Sequence, residues 1–431
     1  MEKINSFTAS GDNDNSLAMK TYDISSFKIA FAGAHLEDVA KDVQSEIRER
    51  TGAELEIVTS ETADDGSLEL IIGRTDRDIS ATAFDFATFE YNASVGIFCD
   101  GGKVQMLGID RTTVKDSVEY FFANIMTDNS GKLMLPERGA MCEKIDRPAV
   151  GIPVKEDDSY VRVVTNNVLM LCLTDQWNRP VTEDRFSMLM GMYELIDADI
   201  VGLQECDGLW RTRCHIDEEM QAIGYSKANT TAASNAPVYY RTTRFSEVDA
   251  GGGRYDTSSL EGYYEPRGYG WVCLEEKTTG KKIVIINTHL VWGWPWGDVK
   301  IDGMSEMALA YRNVSAKQLA ELSEKMKSTY PGATVMVMGD LNSYLGSEAC
   351  KILDAAMYSS RDTAQTKVNM SYNSTCNLSK MPSSSDKPGV IDHIYYSKDS
   401  FLTAKRYEVV VSKYSYAYSD HVPVLVDFAF N

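Results

Sequence analysis

Short apolar runs recur along the C-terminal two thirds of the chain, and polar residues stand just past their ends. Val161–Thr165, Ile200–Leu203, Thr334–Met338, Ile391–Tyr396 and Val424–Phe428 have the length and β-branched content of buried strands. Trp271–Leu274 and Ile283–Asn287 flank Thr279-Gly280 and read as paired strands. Helical spacing appears over Thr182–Ile196, with Thr182 as N-cap and Glu183 and Asp184 in the first turn, and over Ala308–Thr329. Many short strands with few helices predict two packed sheets with helices outside.

The first third reads differently. Phe27–Phe31, Leu55–Val58 and Leu68–Ile72 are predicted strands, and Gly96–Cys99 and Val104–Gly108 flank Asp100-Gly101-Gly102 as a hairpin. His35–Thr51 carries Leu36, Val39, Val43 and Ile47 at helical spacing. Thr113–Met126 does the same with Val114, Val118, Phe121, Phe122 and Ile125. The expected organisation is a disordered tail over 1–20, an accessory α+β domain over 21–127, a Pro- and charge-rich connector over 128–158, and a larger domain over 159–431. The first domain shows no catalytic constellation and is expected to be an accessory or packing unit.

Composition narrows the picture. The 431 residues are 43% hydrophobic and 25% charged, which suits two globular cores. The polar first twenty residues lack the apolar stretch of a signal peptide. That leaves the compartment open between secretion after loss of a leader and the cytoplasm. Eight cysteines include no CxxC pair, so reduced, mostly buried thiols are expected rather than a zinc finger or disulfide framework. Net charge is −20. Residues 1–158 carry 30 acidic and 16 basic side chains, and the remainder 33 and 27. Proteins that grip long nucleic acid present basic surface to the phosphates, so the charge argues against a long nucleic acid partner.

The polar residues at the strand ends carry the chemistry. Asn167, Glu205, His289, Asp340 with Asn342, Asp392, and Asp420 with His421 each stand at or near the end of an apolar run. Any one of them alone is most simply a surface or turn residue. Strand ends along one sheet edge converge, however, and would gather four carboxylates, two histidines and two carboxamides. Gathering carboxylates costs repulsion that a cation relieves. Oxygen ligands suit Mg²⁺ or Mn²⁺ better than zinc.

The segments TNNVL, IVGLQE, INTHL, VMGDLNSY, IDHIYYS and YSDHVPVLVDF stand in this order from Thr165 to Phe428. In order and spacing they resemble the endonuclease/exonuclease/phosphatase superfamily, which includes DNase I-like nucleases, inositol polyphosphate 5-phosphatases, neutral sphingomyelinases and deadenylases. VYYRTTRFSEV and RGYGWVCLEEKTTGKKIVIINTHL resemble its compact bacterial branch. The resemblance spans residues 159–431. It implies an α/β (α+β) fold, a four-layered two-sheet sandwich with flanking helices, here preceded by a small α+β domain. It also implies roles. Glu205, Asn167 and Asp420 would belong to the metal site. Asp340 would orient or deprotonate the attacking water, Asn342 and His289 would contact phosphate, and Asp392 would orient His421. His393 departs from the aromatic residue that relatives often place there and is expected to be structural, pointing away from Asp392. The N-terminal LIIG strand, the hairpin and the YFFANIM helix resemble an accessory α+β domain of glycoside hydrolases.

The expected activity is metal-dependent hydrolysis of a small-molecule or lipid-linked phosphodiester or phosphomonoester. Substrate choice is assigned to Arg267 and to Trp292, Trp294 and Trp296. The tryptophans would form an aromatic platform or a membrane contact, with a packed hydrophobic loop as the plainer reading. Tyr263, Tyr264 and Tyr269 and the Ser- and Asn-rich stretch Asn369–Lys387 would add to the pocket. No protein partner is implied. The rivals are a DNase- or exonuclease-like nuclease and a carbohydrate- or surface-binding protein carrying a relic hydrolase domain.

Overall fold

The computed structural model describes residues 19–32, 36–59, 62, 64–73, 75, 77, 79, 94–108, 111–144, 151–171, 182–231, 235–260, 267–293, 304–378, 380–412 and 414–431. The chain divides into two compact units, Met1–Ala149 with Val181–Leu195, and Val150–Pro180 with Ile196–Asn431. Among the described residues no helix is long and apolar enough to cross a membrane.

In the first unit the strands are β1 (Met19–Asp23), β2 (Phe27–Phe31), β3 (Ile57–Thr59), β4 (Leu68–Ile72), β5 (Ser94–Asp100), β6 (Lys103–Leu107), β7 (Lys132–Pro136) and β8 (Arg138–Lys144). Six of them form one sheet in the order β3-β2-β4-β6-β5-β8, and β1 pairs with β7. Helices α1 (Glu37–Thr51) and α2 (Arg111–Asn124) turn Val39, Val43, Ile47, Val114 and Phe121 into a core with Ile29, Leu70, Ile72 and Met106. The unit also includes most of α3 (Thr182–Ile196).

One expectation is corrected here. The stretch 128–158 is not a plain connector, because it contributes β7 and β8. In Lys132–Pro136 the side chains alternate, with Leu133 and Leu135 buried and Lys132 and Met134 exposed. That is a strand period, masked in the sequence by the turn residues Asp128–Gly131 and by Pro136. Residues 1–18 of the expected tail and His35 lie outside the described residues.

The second unit holds two sheets. The seven-stranded one runs β11 (Tyr225–Lys227), β12 (Val238–Arg241), β10 (Ile200–Gln204), β9 (Val161–Asn167), β21 (Val424–Phe430), β20 (Leu402–Val409), β18 (Thr366–Val368). The six-stranded one runs β13 (Phe245–Arg254), β14 (Gly268–Glu276), β15 (Lys282–His289), β16 (Thr334–Asp340), β19 (Asp392–Ser397), β17 (Met357–Ser359). Alternation sends Val163, Ile283, Ile285, Met336, Met338, Val424 and Val426 into one core between the sheets. Val284, Ile286, Val335 and Val337 face the other way. They pack on Ala316, Leu319 and Met326 of α4 (Met304–Thr329) and Leu353 of α5 (Glu348–Ala356). Strands buried on both faces read as continuous apolar runs, which explains why the sequence announced them.

Gln204 and Asn287 make a polar link across the apolar interface. Gln204 Nε2 donates to Asn287 Oδ1 at 2.7 Å. Asn287 Nδ2 lies 2.8–3.1 Å from the carbonyls of Leu203, Ala236 and Pro237. Gly202, next to Leu203, makes room for this link, since a Cβ there would lie 3.0 Å from the Asn287 amide.

Candidate active site

Strand register builds the site. In the six-stranded sheet His289 pairs with Asp340 across β15 and β16, and Asp340 pairs with Asp392 across β16 and β19. Three chemistry-bearing residues therefore lie side by side at one sheet edge. In the seven-stranded sheet Gln204 pairs with Asn167 across β10 and β9, so Glu205 follows directly beside Asn167. His421 precedes β21 of that same sheet and bridges to Thr375.

Asn167 joins the two sets. Its Nδ2 lies 3.0 Å from Glu205 Oε1 and 3.0 Å from Asp340 Oδ2, while its Oδ1 accepts from the Leu169 amide at 3.0 Å. The oxygen is thereby committed to the backbone and the nitrogen faces the carboxylates. Sequence reasoning placed Asn167 among the metal ligands. In this arrangement an NH₂ group, which has no lone pair to give a metal, clamps Glu205 to Asp340. Met170 donates its amide to the other Glu205 oxygen at 3.1 Å.

Asp340 is buried. Its Oδ1 accepts from the Asn342 amide at 2.8 Å, and its Oδ2 lies 3.4 Å from His289 Nε2 and 3.8 Å from His421 Nε2. Burial, reinforced by Asp392, raises its carboxyl above the ordinary range against the pull of the two histidines. Gly339 sets up this residue. Its φ is +144° and a Cβ there would meet the Thr288 carbonyl oxygen at 1.9 Å, so only glycine fits. Glu205 and Asn342 have φ of +57° and +47°. Non-glycine residues held in this region cluster at functional sites.

His421 donates through Nδ1 to Asp392 Oδ2 at 2.9 Å. Burial opposes its charge, but Asp392, Asp340 and Asp420 outweigh burial and hold the ring well above its usual value. His289 goes the other way. Burial, helped by Arg267 and His421, pushes it down to about 4 despite Asp340. Asn342 Nδ2 lies 3.0 Å from both the Leu290 carbonyl and His289 Nε2. Because the carbonyl can only accept, the amide nitrogen is fixed there and its second hydrogen faces the ring nitrogen. His289 is thus a neutral imidazole protonated at Nδ1, a buried atom with no partner.

Asp340, Asp392 and His421 each offer a ligand atom within 4.8 Å of the others. Within that trio the Asp392–His421 hydrogen bond already uses two of the atoms, so the trio reads as an oriented acid–base group. Asp420 is half-buried, and its charge acts on His421. All eight strand-end residues of the sequence reading are thus connected by contacts or charge. Arg267 acts electrostatically on His289, and its Nε is buried without a partner. Trp292 is half exposed, three residues beyond His289. Trp294, Trp296, Tyr263 and Tyr264 lie outside the described residues.

The stretch Asn369–Lys387 is woven into the site. Cys376 donates its amide to the Asp420 carbonyl at 2.7 Å, and Ser374 Oγ accepts the Ile391 amide at 3.0 Å. Sequence reasoning missed the supports beneath the site. Ser419 Oγ donates to the Asn167 carbonyl at 2.7 Å, and Tyr418 OH to Asn166 Oδ1 at 2.7 Å. Hydroxyl side chains in a turn carry no distinctive spacing. Among the described residues Cys99, Cys206, Cys273 and Cys350 are buried free thiols and Cys376 is a half-buried one.

Known proteins resemble the chain in sequence and fold. Residues 167–421 match the model of the Endonuclease/Exonuclease/phosphatase family. The CCR4-Not complex 3'-5'-exoribonuclease subunit Ccr4 of Schizosaccharomyces pombe is 24% identical over 190 residues, covering 36% of this chain and 28% of the relative. The chain therefore matches less than a third of that protein. The crystal structure of the endonuclease/exonuclease/phosphatase from Bacteroides vulgatus superposes with a TM-score of 0.50 at 21% identity, covering 64% of this chain and all of that one. The mannosyl-6-phosphatase of Bacteroides thetaiotaomicron aligns with a TM-score of 0.46 at 21% identity, over 63% of this chain and all of that one.

Proposed function

The chain belongs to the endonuclease/exonuclease/phosphatase family, and from that premise we propose that it is a divalent-cation-dependent hydrolase of a small-molecule or lipid-linked phosphate ester. The observation that carries the reading is the Asn167 clamp, which draws Glu205 and Asp340 to one amide nitrogen beside one charged and one neutral imidazole. Two carboxylates so placed form a hard-oxygen set that suits Mg²⁺ or Mn²⁺. Glu205 and Asp340 would hold the ion, with Asp420 at the edge of the set. Bound there, the ion would neutralise phosphoryl charge and stabilise the leaving oxygen.

The chain's own residues do the rest. Asp340 orients the attacking water and takes its proton. His421, charged and aimed by Asp392, donates to a phosphoryl oxygen. His289 and Asn342 contact the phosphate as neutral groups. Arg267 offers its unpartnered Nε to a second phosphoryl oxygen. Half-exposed Trp292 offers an aromatic face on which the non-phosphate part of the substrate, or a lipid surface, would rest.

A screen of sugar phosphates, inositol phosphates, nucleotides, sphingomyelin and bis-p-nitrophenyl phosphate with Mg²⁺ or Mn²⁺ tests this, with His421→Ala as control. Turnover of a small ester, lost in the variant, is expected. No turnover of any ester with either ion would end the proposal. The similarity to an exoribonuclease subunit favours a second reading, nuclease activity, against which the net charge of −20 weighs. RNA oligonucleotides and plasmid DNA in the same screen separate the two. Cleavage of either that outpaces every small ester would make the protein a nuclease.

A further inference from the structure

We propose that His393 and Arg312 are positioning residues, holding Asn342 against His289 through the carbonyls of Ser343 and Asn342. The inference deepens the active-site reading, since it concerns how one phosphate-contacting group is kept in place.

The segment that leaves β16 is left-handed at Asn342, a conformation uncommon outside glycine and most accessible to Asn and Asp. Its backbone is bonded at each step. Leu290 donates to the Asp340 carbonyl at 2.9 Å, and Leu341 donates to the Ile391 carbonyl at 2.9 Å. Asn342 donates to Asp340 Oδ1 at 2.8 Å. The next two carbonyls are taken by side chains rather than backbone. Arg312 Nη1, from the buried face of α4, donates to the Asn342 carbonyl at 2.7 Å. His393 Nε2 donates to the Ser343 carbonyl at 2.8 Å.

A carbonyl only accepts, so His393 carries its hydrogen on Nε2. Cys350 Sγ, at the start of α5, lies 3.6 Å from the same carbonyl and 3.8 Å from His393 Nε2, closing the other side of the ring. Strand alternation explains the placement. Asp392 and His393 are neighbours in β19 and point to opposite faces. One turns to His421 and the other to the underside of the Asn342 turn. A single strand thus aims the charged imidazole and braces the carboxamide that meets the neutral one. Two buried polar donors satisfy the carbonyls of one buried turn, which would otherwise be left without partners. A histidine and an arginine also give the turn something an apolar core does not, a fixed direction for each carbonyl.

The test uses full-length protein in two backgrounds, native and Asn342→Ala, each carrying His393, His393→Gln or His393→Leu. Glutamine keeps an N–H able to reach the Ser343 carbonyl, and leucine does not. Two readouts are taken: the ¹⁵N resonances of the His289 ring in cation-free protein, and kcat and KM on the ester found in the screen. His393→Leu is expected to shift the His289 resonances and to lower kcat about tenfold with KM little changed. His393→Gln should restore both. In the Asn342→Ala background, His393→Leu should change neither. Unmoved His289 resonances in His393→Leu, or equal losses in both backgrounds, would overturn the positioning role. Resonances that move while Asn342→Ala turns over normally would support it and overturn instead the reading of Asn342 as a phosphate contact. Thermal melts of all variants identify a loss caused by unfolding, and His393→Gln carries the comparison if His393→Leu does not fold.

Discussion

At the scale of single residues, the two histidines divide the work by environment. Both are buried, yet one is held charged by a carboxylate at 2.9 Å and the other is kept neutral by desolvation. Replacing Asp392 by Asn removes the charge that holds the His421 proton while leaving the shape. Turnover is expected to fall by roughly 10²–10⁴, the range typical of disabled general acid–base groups, with little change in KM. Steady-state kinetics on the screened ester would check this, and a fall smaller than threefold would contradict it.

The raised His421 also makes a stability forecast. The folded chain keeps the ring's proton above the ordinary value of about 6.5, where the unfolded chain has lost it. The stabilisation is therefore fully present below about pH 6.5 and fades as pH rises through the folded value. Melting temperatures measured in chelator between pH 6 and 10 should decline more steeply for the native protein than for His421→Gln. Parallel curves would remove the charged ring from the account.

Much of the site could be read from the sequence at this scale, because strand-end polar residues interrupt apolar runs. What could not be read is which atom of Asn167 faces the carboxylates. That depends on a hydrogen bond from Leu169, two residues away. Arg312 was equally hidden, since an arginine inside a long helix looks like any solvated position.

At the scale of elements, legibility followed burial. Strands covered on both faces, such as β15 and β16, show as unbroken apolar runs and were placed to within a residue or two. β7 has one exposed face and hides between turn residues, so the stretch that holds it read as a connector. β13 was missed because Gly251, Gly252 and Gly253 look like a loop. Their lack of side chains admits Trp271, Thr231 and Tyr269, whose atoms would meet any added Cβ at 2.8 Å or less. The turn at Gly339 is the most demanding local geometry of the site. Gly339→Ala is expected to cost roughly 2–4 kcal/mol, combining an unfavourable φ with a backbone collision. Denaturant titration would measure it, and a loss below about 1 kcal/mol would show that the strand ends can shift apart.

At the scale of the whole molecule, cation binding should couple to stability. Glu205 and Asp340 lie on different sheets of the second unit, so an ion held by both ties the sheets together and favours the folded state. With the ion at about 100 times its dissociation constant, the gain is about 2.7 kcal/mol. Adding Mg²⁺ or Mn²⁺ to chelated protein should raise the melting temperature and restore activity together. Glu205→Gln should blunt both. Activity without any thermal shift would place the ion elsewhere.

The Gln204–Asn287 bond has a consequence of its own. Apolar faces grip through many weak contacts that change little with a small sideways slip, so a sandwich held only by them has no preferred lateral setting at the ångström level. Catalysis split across the two layers requires one. A directional bond between the two sheets beside the site indexes the layers against each other, as a dowel aligns two plates that clamps alone would let creep. Gln204→Leu should therefore cost turnover out of proportion to its effect on melting. Its activity should also fall on warming well before the protein unfolds, whereas the native enzyme would lose activity and structure at the same temperature.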